Sequence, residues 1–222
     1  MTDVLQCVEV ETGGSVQSAV IWLHGLGADG HDFEPIVPSL GLQGSGVRFV
    51  FPHAPLRAVT INMGLIMRAW FDITDLEFRG KDDARGIRES VAQVTGLVDR
   101  ERARGIASSR IALAGFSQGG TIALHVALRY PETLAGVAAL STLLAGGAAL
   151  ESELSDANSG IPIFQAHGTD DPLIPVEHGE KTRDRLVALG YPVVWKAYPM
   201  QHEVCLEEIA DLGAWLGERL AG

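Results

Sequence analysis

The sequence predicts an α/β domain, a mostly parallel, doubly wound sheet with helices on both faces, and places residues 1–222 in one such unit. Three observations carry that expectation. Strand-like and helix-like segments alternate along the chain, with no repeat or linker dividing them. Ala19-Val-Ile-Trp-Leu-His24 is an unbroken apolar run, as expected of a strand covered on both faces. Arg110 to Gly120 reads as a strand, a sharp turn and the start of a helix, with Gly115-Phe116-Ser117-Gln118-Gly119 at the turn.

Taken in order, Val4 to Glu11 alternates imperfectly and suits an edge strand. Phe33 to Leu40 makes a short helix interrupted by Pro35 and Pro38, and Arg48 to Pro52 is the next strand. Residues 54–79 show no clear period, a long connection that compact domains seldom keep without a use. Ile87, Val91, Val94 and Val98 recur at helical spacing, with Asp82 and Asp83 ahead of them and Gly105 behind. Gln118 to Tyr130 is apolar almost all round, which suits a helix buried on several sides, and Pro131 stops it. Leu134 to Leu140 and Ile161 to Ala166 are strands separated by a loop over 143–160. A helix over Glu177 to Leu189, a strand over Val193 to Tyr198 and a closing helix over Glu203 to Leu220 complete the chain.

Composition removes several classes of function. A formal charge of -11, with 17 Lys and Arg spread thinly, argues against a nucleic-acid partner. No segment approaches the roughly 20 uninterrupted apolar residues a membrane span needs, so stable membrane insertion is not expected. Cys7 and Cys205 lie near opposite ends without metal-ligand spacing, which fits reduced thiols in a cytoplasmic protein. H-E-x-x-H and P-loop patterns are absent, and neither a metal nor an organic cofactor is expected.

The turn at Ser117 points to nucleophilic chemistry. Glycines two before and two after the serine let strand and helix approach closely and push Oγ outward. The Gln118 N–H, at the start of the helix, faces the place where negative charge would develop. A serine hydroxyl needs a base, and the base needs an acid, expected in the chain order Ser, acid, His at strand ends. His167-Gly-Thr-Asp170-Asp171-Pro172 follows one strand and Pro199-Met-Gln-His202 the last, so His202 is the candidate base, with Asp170 and Asp171 competing as acid. His24 and His167 precede glycines and suit loop bracing, His125 suits a satisfied core position, and His31, His53 and His178 fall in expected loops. His24-Gly25-Leu26-Gly27 offers the Leu26 N–H as a second oxyanion donor. Gly25, Gly27 and Gly30 also match a dinucleotide fingerprint, but no Asp or Glu occurs between Glu34 and Asp72 to hold a ribose.

LHGLGADGHDF, FPHAP, RAWFDI, GFSQGG, HGTDDPLIP and YPMQHEVC together resemble the small bacterial carboxylesterases related to acyl-protein thioesterases and lysophospholipases, within the α/β-hydrolase fold. The resemblance spans nearly the whole chain. It implies Ser117 as nucleophile, Asp171 rather than Asp170 as acid, His202 as base, and Leu26 with Gln118 as oxyanion donors. It further implies a carboxylesterase acting on small or medium acyl esters, with acyl-protein thioesters or lysophospholipids as alternatives, and a monomer or homodimer. A non-catalytic binding module on the same fold is the reading from another class. Met63 stands where the family usually has glycine, and Asp83-Ala-Arg-Gly86 alters an acidic stretch, both bearing on the acyl pocket. Leu65, Ile66, Met67, Trp70 and Phe71 of the long connection, with Leu143 and Leu144, are expected to line an acyl groove.

Overall fold

The computed structural model describes residues 5–75, 83–145 and 150–221. Val4 of the expected first strand, residues 76–79 of the long connection, Asp82 ahead of the expected helix, and residues 146–149 of the later loop lie outside them. In chain order the elements begin with β1 (Cys7–Glu11), β2 (Ser18–Leu23), β3 (Val47–Pro52), a short pair β4 (Leu56–Val59) and β5 (Leu65–Arg68), and α1 (Ala84–Ala103). There follow β6 (Ile111–Phe116), α2 (Gln118–Ala127), β7 (Gly136–Leu140), β8 (Ile163–Gly168), α3 (Val176–Ala188), β9 (Val193–Tyr198) and α4 (Leu206–Leu220).

Seven strands form one sheet in the order β1-β3-β2-β6-β7-β8-β9. Only the β1–β3 pairing among them is antiparallel. In β2, Ala19, Ile21 and Leu23 point into one core while Val20 and Trp22 point into the other. That alternation with apolar residues on both faces is why the strand reads as a continuous run. Buried residues of α1, α2 and α3 join the first core, and those of α4 with the 3₁₀ segment Glu34–Leu40 join the second. All ten residues of α2 are buried, so it is the central helix of its layer.

Register brings the loops of the site together. Leu23 of β2 lies opposite Gly115 of β6, so the chain leaves the sheet at 24–27 beside the turn at Ser117. Asp83 caps α1 by accepting the Gly86 N–H at 2.9 Å, as an acid at a helix start should.

Two expectations are corrected. The connection after residue 54 contains the β4–β5 hairpin, whose strands are four residues each and largely exposed, too short to show alternation. Its turn passes through Met63 at φ 56° and Gly64 at φ 77°, so a non-glycine residue holds a left-handed conformation that glycine would adopt more easily. His178 lies within α3, not in a loop.

Candidate active site

Ser117 sits between β6 and α2 at φ 54° and ψ −124°, a conformation a side-chain-bearing residue holds only when its surroundings impose it. The glycines around it show what imposes it. A β-carbon on Gly115 would collide with the backbone of Gly119, and one on Gly119 with the carbonyl oxygens of Leu23 and His24. A β-carbon on Gly120 would lie 2.7 Å from the Thr142 methyl. Strand, helix and neighbouring loop thus meet at backbone distance. The Ser117 N–H donates to the Leu140 carbonyl at 2.9 Å and the Thr142 hydroxyl to the Ser117 carbonyl at 2.6 Å, fastening both sides of the turn.

From that turn the hydroxyl reaches His202. Ser117 Oγ lies 2.9 Å from His202 Nε2, and His202 Nδ1 lies 2.7 Å from Asp171 Oδ2. With Nδ1–H donating to the carboxylate, Nε2 is free to accept the serine proton. The other oxygen, Asp171 Oδ1, accepts the N–H groups of Leu173 and Ile174, each at 2.9 Å. Asp171 is buried, at 6% exposure, while Asp170 is exposed and its carboxylate accepts, among the described residues, only the Thr169 hydroxyl at 3.2 Å. Geometry therefore gives Asp171 the place beside His202. The ring of Phe116 lies 4.8 Å from that of His202 and supports it from one side.

The remaining buried histidines hold loops. His24 Nδ1–H donates to the Gly25 carbonyl at 2.7 Å and Nε2 accepts the Ala54 N–H at 3.1 Å. Burial pushes its pKa down to about 4, so the ring stays neutral as both contacts require. His167 Nε2–H donates to the Ile174 carbonyl at 2.8 Å and lies 3.5 Å from Asp171 Oδ2. Burial lowers its pKa too, so it braces the segment carrying the acid as a neutral ring. His125, also buried and pushed down to about 4, accepts from Arg129 and donates to the Ala145 carbonyl.

The Leu26 and Gln118 N–H groups have no hydrogen-bond acceptor among the described residues, and the register of β2 against β6 brings their loops side by side. A β-carbon on Gly25 would lie 3.5 Å from that of Ser117, so the Leu26 loop borders the serine directly. β5 ties that loop down, because the Gly27 N–H donates to the Arg68 carbonyl at 2.9 Å. The Gln118 side chain spans Trp70 and Phe71 just beyond β5, accepting the Trp70 N–H and donating to the Phe71 carbonyl, both at 2.7 Å.

This arrangement corrects the expected groove. Trp70 is fully buried, with its indole N–H on the His24 carbonyl at 2.9 Å, and serves as a strut because a buried indole must satisfy its donor. Phe71 is buried beside it. Leu65 and Ile66 are 59% and 73% exposed on β5, while Leu143 and Leu144 pack against the core of α1 to α3. Met67 is half-buried, its sulfur 3.2 Å from the Asn62 amide nitrogen. None of these seven belongs to the wall of the cavity beside Ser117, whose volume is about 480 Å³. That wall is built from Ile61, Ile73, Phe116, Leu173 and Ile174, with Asn62 and Asp32 as its polar side chains besides Ser117 and His202. Sequence reasoning missed these positions, since they converge from separate loops with no shared spacing.

The phospholipase/carboxylesterase family matches residues 5–218. The chain belongs to that family. Acyl-protein thioesterase 1 of Cryptococcus neoformans is 37% identical over 220 residues, covering 91% of this chain and 92% of the relative. Its namesake in Gibberella zeae is 36% identical over 213 residues, 91% of each. Among solved structures, Arabidopsis thaliana SOBER1 superposes with a TM-score of 0.87 at 33% identity, covering 92% of this chain and all of that one. Zea mays acyl-protein thioesterase 2 does so with a TM-score of 0.87 at 29% identity, covering 97% of this chain and 99% of that one. These four are fungal and plant proteins, so the bacterial part of the resemblance finds no support in them. As a member of the phospholipase/carboxylesterase family the protein is a serine hydrolase of α/β-hydrolase fold, acting on acyl substrates. Among the described residues no helix is long and apolar enough to cross a membrane.

Proposed function

We propose that the protein hydrolyses acyl esters and thioesters in two steps, with Ser117 as nucleophile, His202 as general base and acid, and Asp171 as the orienting carboxylate. The observation that carries this reading is the unbroken hydrogen-bonded path from Ser117 through His202 to Asp171. His202 Nε2 takes the hydroxyl proton as Oγ attacks the acyl carbon, and Asp171 stabilises the imidazolium. The tetrahedral oxyanion lies between the Leu26 and Gln118 N–H groups, each such donor contributing about 3 kcal/mol to lowering the barrier. The imidazolium then protonates the departing alcohol or thiol, leaving an acyl-Ser117 ester. Water, deprotonated by His202, attacks that ester, and the proton returns to Ser117 as the acid departs.

Thioesters stand beside esters because of the relatives: two fungal proteins more than one-third identical over nine-tenths of the chain bear the name acyl-protein thioesterase 1. A thiolate leaves more readily than an alkoxide, so one site serves both. A fluorophosphonate probe is expected to label Ser117 in the native protein and to leave Ser117→Ala unlabelled. His202→Gln is expected to lower kcat by several orders of magnitude with the circular dichroism spectrum unchanged. Labelling that persists in Ser117→Ala, or a loss of tenfold or less in His202→Gln, removes the assignment.

A further inference from the structure

The cavity wall holds one acidic side chain, Asp32, and includes no Lys or Arg. Its carboxylate has neither an ion pair nor a hydrogen bond among the described residues, although its backbone N–H is fixed on the Asp29 carbonyl at 3.1 Å. Asp32 is exposed, and partial desolvation with the nearby Asp29 carboxylate pushes its pKa up from the usual carboxylate value. Tilted ring contacts connect the next residue to the reacting groups. Phe33, the next residue, lies 5.7 Å from Phe116, and Phe116 lies 4.8 Å from His202. Asp32 lines the same cavity as Ser117 and His202, the group that delivers a proton to the departing thiol or alcohol. Ile61, in the turn of the hairpin, and Ile73, bonded to it, also line the wall and leave the acyl chain an apolar surface.

We propose, building on the hydrolase reading above, that Asp32 selects the leaving group by charge, favouring acyl substrates whose thiol or alcohol half is cationic over those in which it is anionic. A cation seated near Asp32 gains the partner this carboxylate lacks, and because Asp32 is exposed at the cavity the gain weakens as salt rises. An anion there meets an unpaired carboxylate. The formal charge of -11 adds a field of the same sign, and the exposed Asp170 and Glu203 flank Asp171 and His202 in sequence. Thioesters of polyanionic thiols are accordingly poor substrates.

The test holds the acyl group constant. S-butanoyl thiocholine, S-butanoyl N-acetylcysteamine and S-butanoyl 3-mercaptopropionate carry a cation, no charge and an anion on the thiol. The expected kcat/KM falls in that order, with about tenfold between the first and last at low salt. In Asp32→Asn the cation-to-anion ratio is expected to shrink to within about twofold, in Asp32→Lys to invert, and in Asp32→Glu to persist. The ratio is taken within each variant, so partial loss of folded protein cancels. S-butanoyl cysteinyl-lysine amide against its cysteinyl-glutamate counterpart shows whether a peptide ammonium is read like the choline group, and either preference must vanish in Asp32→Asn. Hydrolysis of the neutral thioester reports the hydrolase reading alone. A flat series on active enzyme, or a ratio unchanged in Asp32→Asn, overturns the role of Asp32 only, whereas three inert substrates overturn both.

Discussion

The turn at Ser117 and the β4–β5 hairpin both border the cavity, and they are built in opposite ways. At the turn, Gly115, Gly119 and Gly120 face backbone or side-chain atoms so close that no β-carbon fits. At the hairpin, Gly64 also has a positive φ, yet a β-carbon there would meet nothing within 4 Å. Leu56, Met63, Leu65 and Ile66 are all more than half exposed. One region is dictated by contact with the rest of the molecule and the other only by its own turn. Reaction geometry thus rests on a tightly packed part of the chain, and the adjoining surface is free to vary.

Alanine at the two glycines gives the largest separation. Gly119→Ala drives a methyl group into the Leu23 and His24 carbonyls and is expected to cost about 4 kcal/mol or more, along with the activity. Gly64→Ala, strained only in its backbone, is expected to cost about 1 kcal/mol. Thermal unfolding reads the difference, at roughly 2–4 °C per kcal/mol for a chain of this size. Equal costs at the two sites would dissolve the contrast.

The same contrast explains what could be read in the sequence. Glycines around Ser117 are legible because close backbone approach admits no other residue, whatever the surroundings. The order of Ser117, Asp171 and His202 is legible because strand ends of a parallel sheet gather at one rim. Asp171 could not be told from Asp170 by spacing, since the difference lies in which carboxylate meets the Leu173 and Ile174 amides. The hairpin left no period because β4 and β5 are four residues each and half of their positions are exposed. Trp70 resembled a groove residue because its partner, the His24 carbonyl, is a backbone group that no pattern advertises.

A second buried carboxylate tests whether tight packing always brings satisfied polar groups. Asp171 receives His202 and two backbone amides, whereas both carboxyl oxygens of the fully buried Glu208 lack a hydrogen-bond partner among the described residues. Burial pushes the Glu208 pKa up from 4.5 to about 8, with the Cys205 amide at the start of α4 opposing the shift. The folded state therefore holds a proton that the unfolded state has lost, and stability falls as pH rises from about 4.5 to about 8. At about 1.4 kcal/mol per unit the shift sets an upper bound near 5 kcal/mol, and a buried Gln amide without partners returns 1–3 of it. Glu208→Gln is accordingly expected to be about 2 kcal/mol more stable than the native protein at pH 9, with this advantage lost at pH 4.5 and most of the pH slope gone. Urea unfolding at the two pH values measures it, and an unchanged slope would mean that Glu208 ionises freely in the fold.

The smallest expected effect lies at the hairpin surface, and it bears most directly on what sets acyl-chain preference. Leu65 is 59% exposed and stands outside the cavity wall, so Leu65→Ser is expected to change stability by no more than about 0.5 kcal/mol. It should leave the profile across p-nitrophenyl esters of increasing chain length as it was. Ile73 is on the wall, and its carbonyl accepts the Ile61 N–H at 3.0 Å, which fixes the turn of the hairpin against the cavity. Ile73→Ala removes apolar surface that a longer chain would cover, and is expected to lower kcat/KM for the longer esters about tenfold relative to the acetate. Packing loss alone would lower all chain lengths together, so the ratio separates a wall residue from a structural one. If Leu65→Ser flattened the profile as far as Ile73→Ala, the exposed strand would have to fold over bound substrate, and the hairpin would belong to the site as fully as the turn at Ser117.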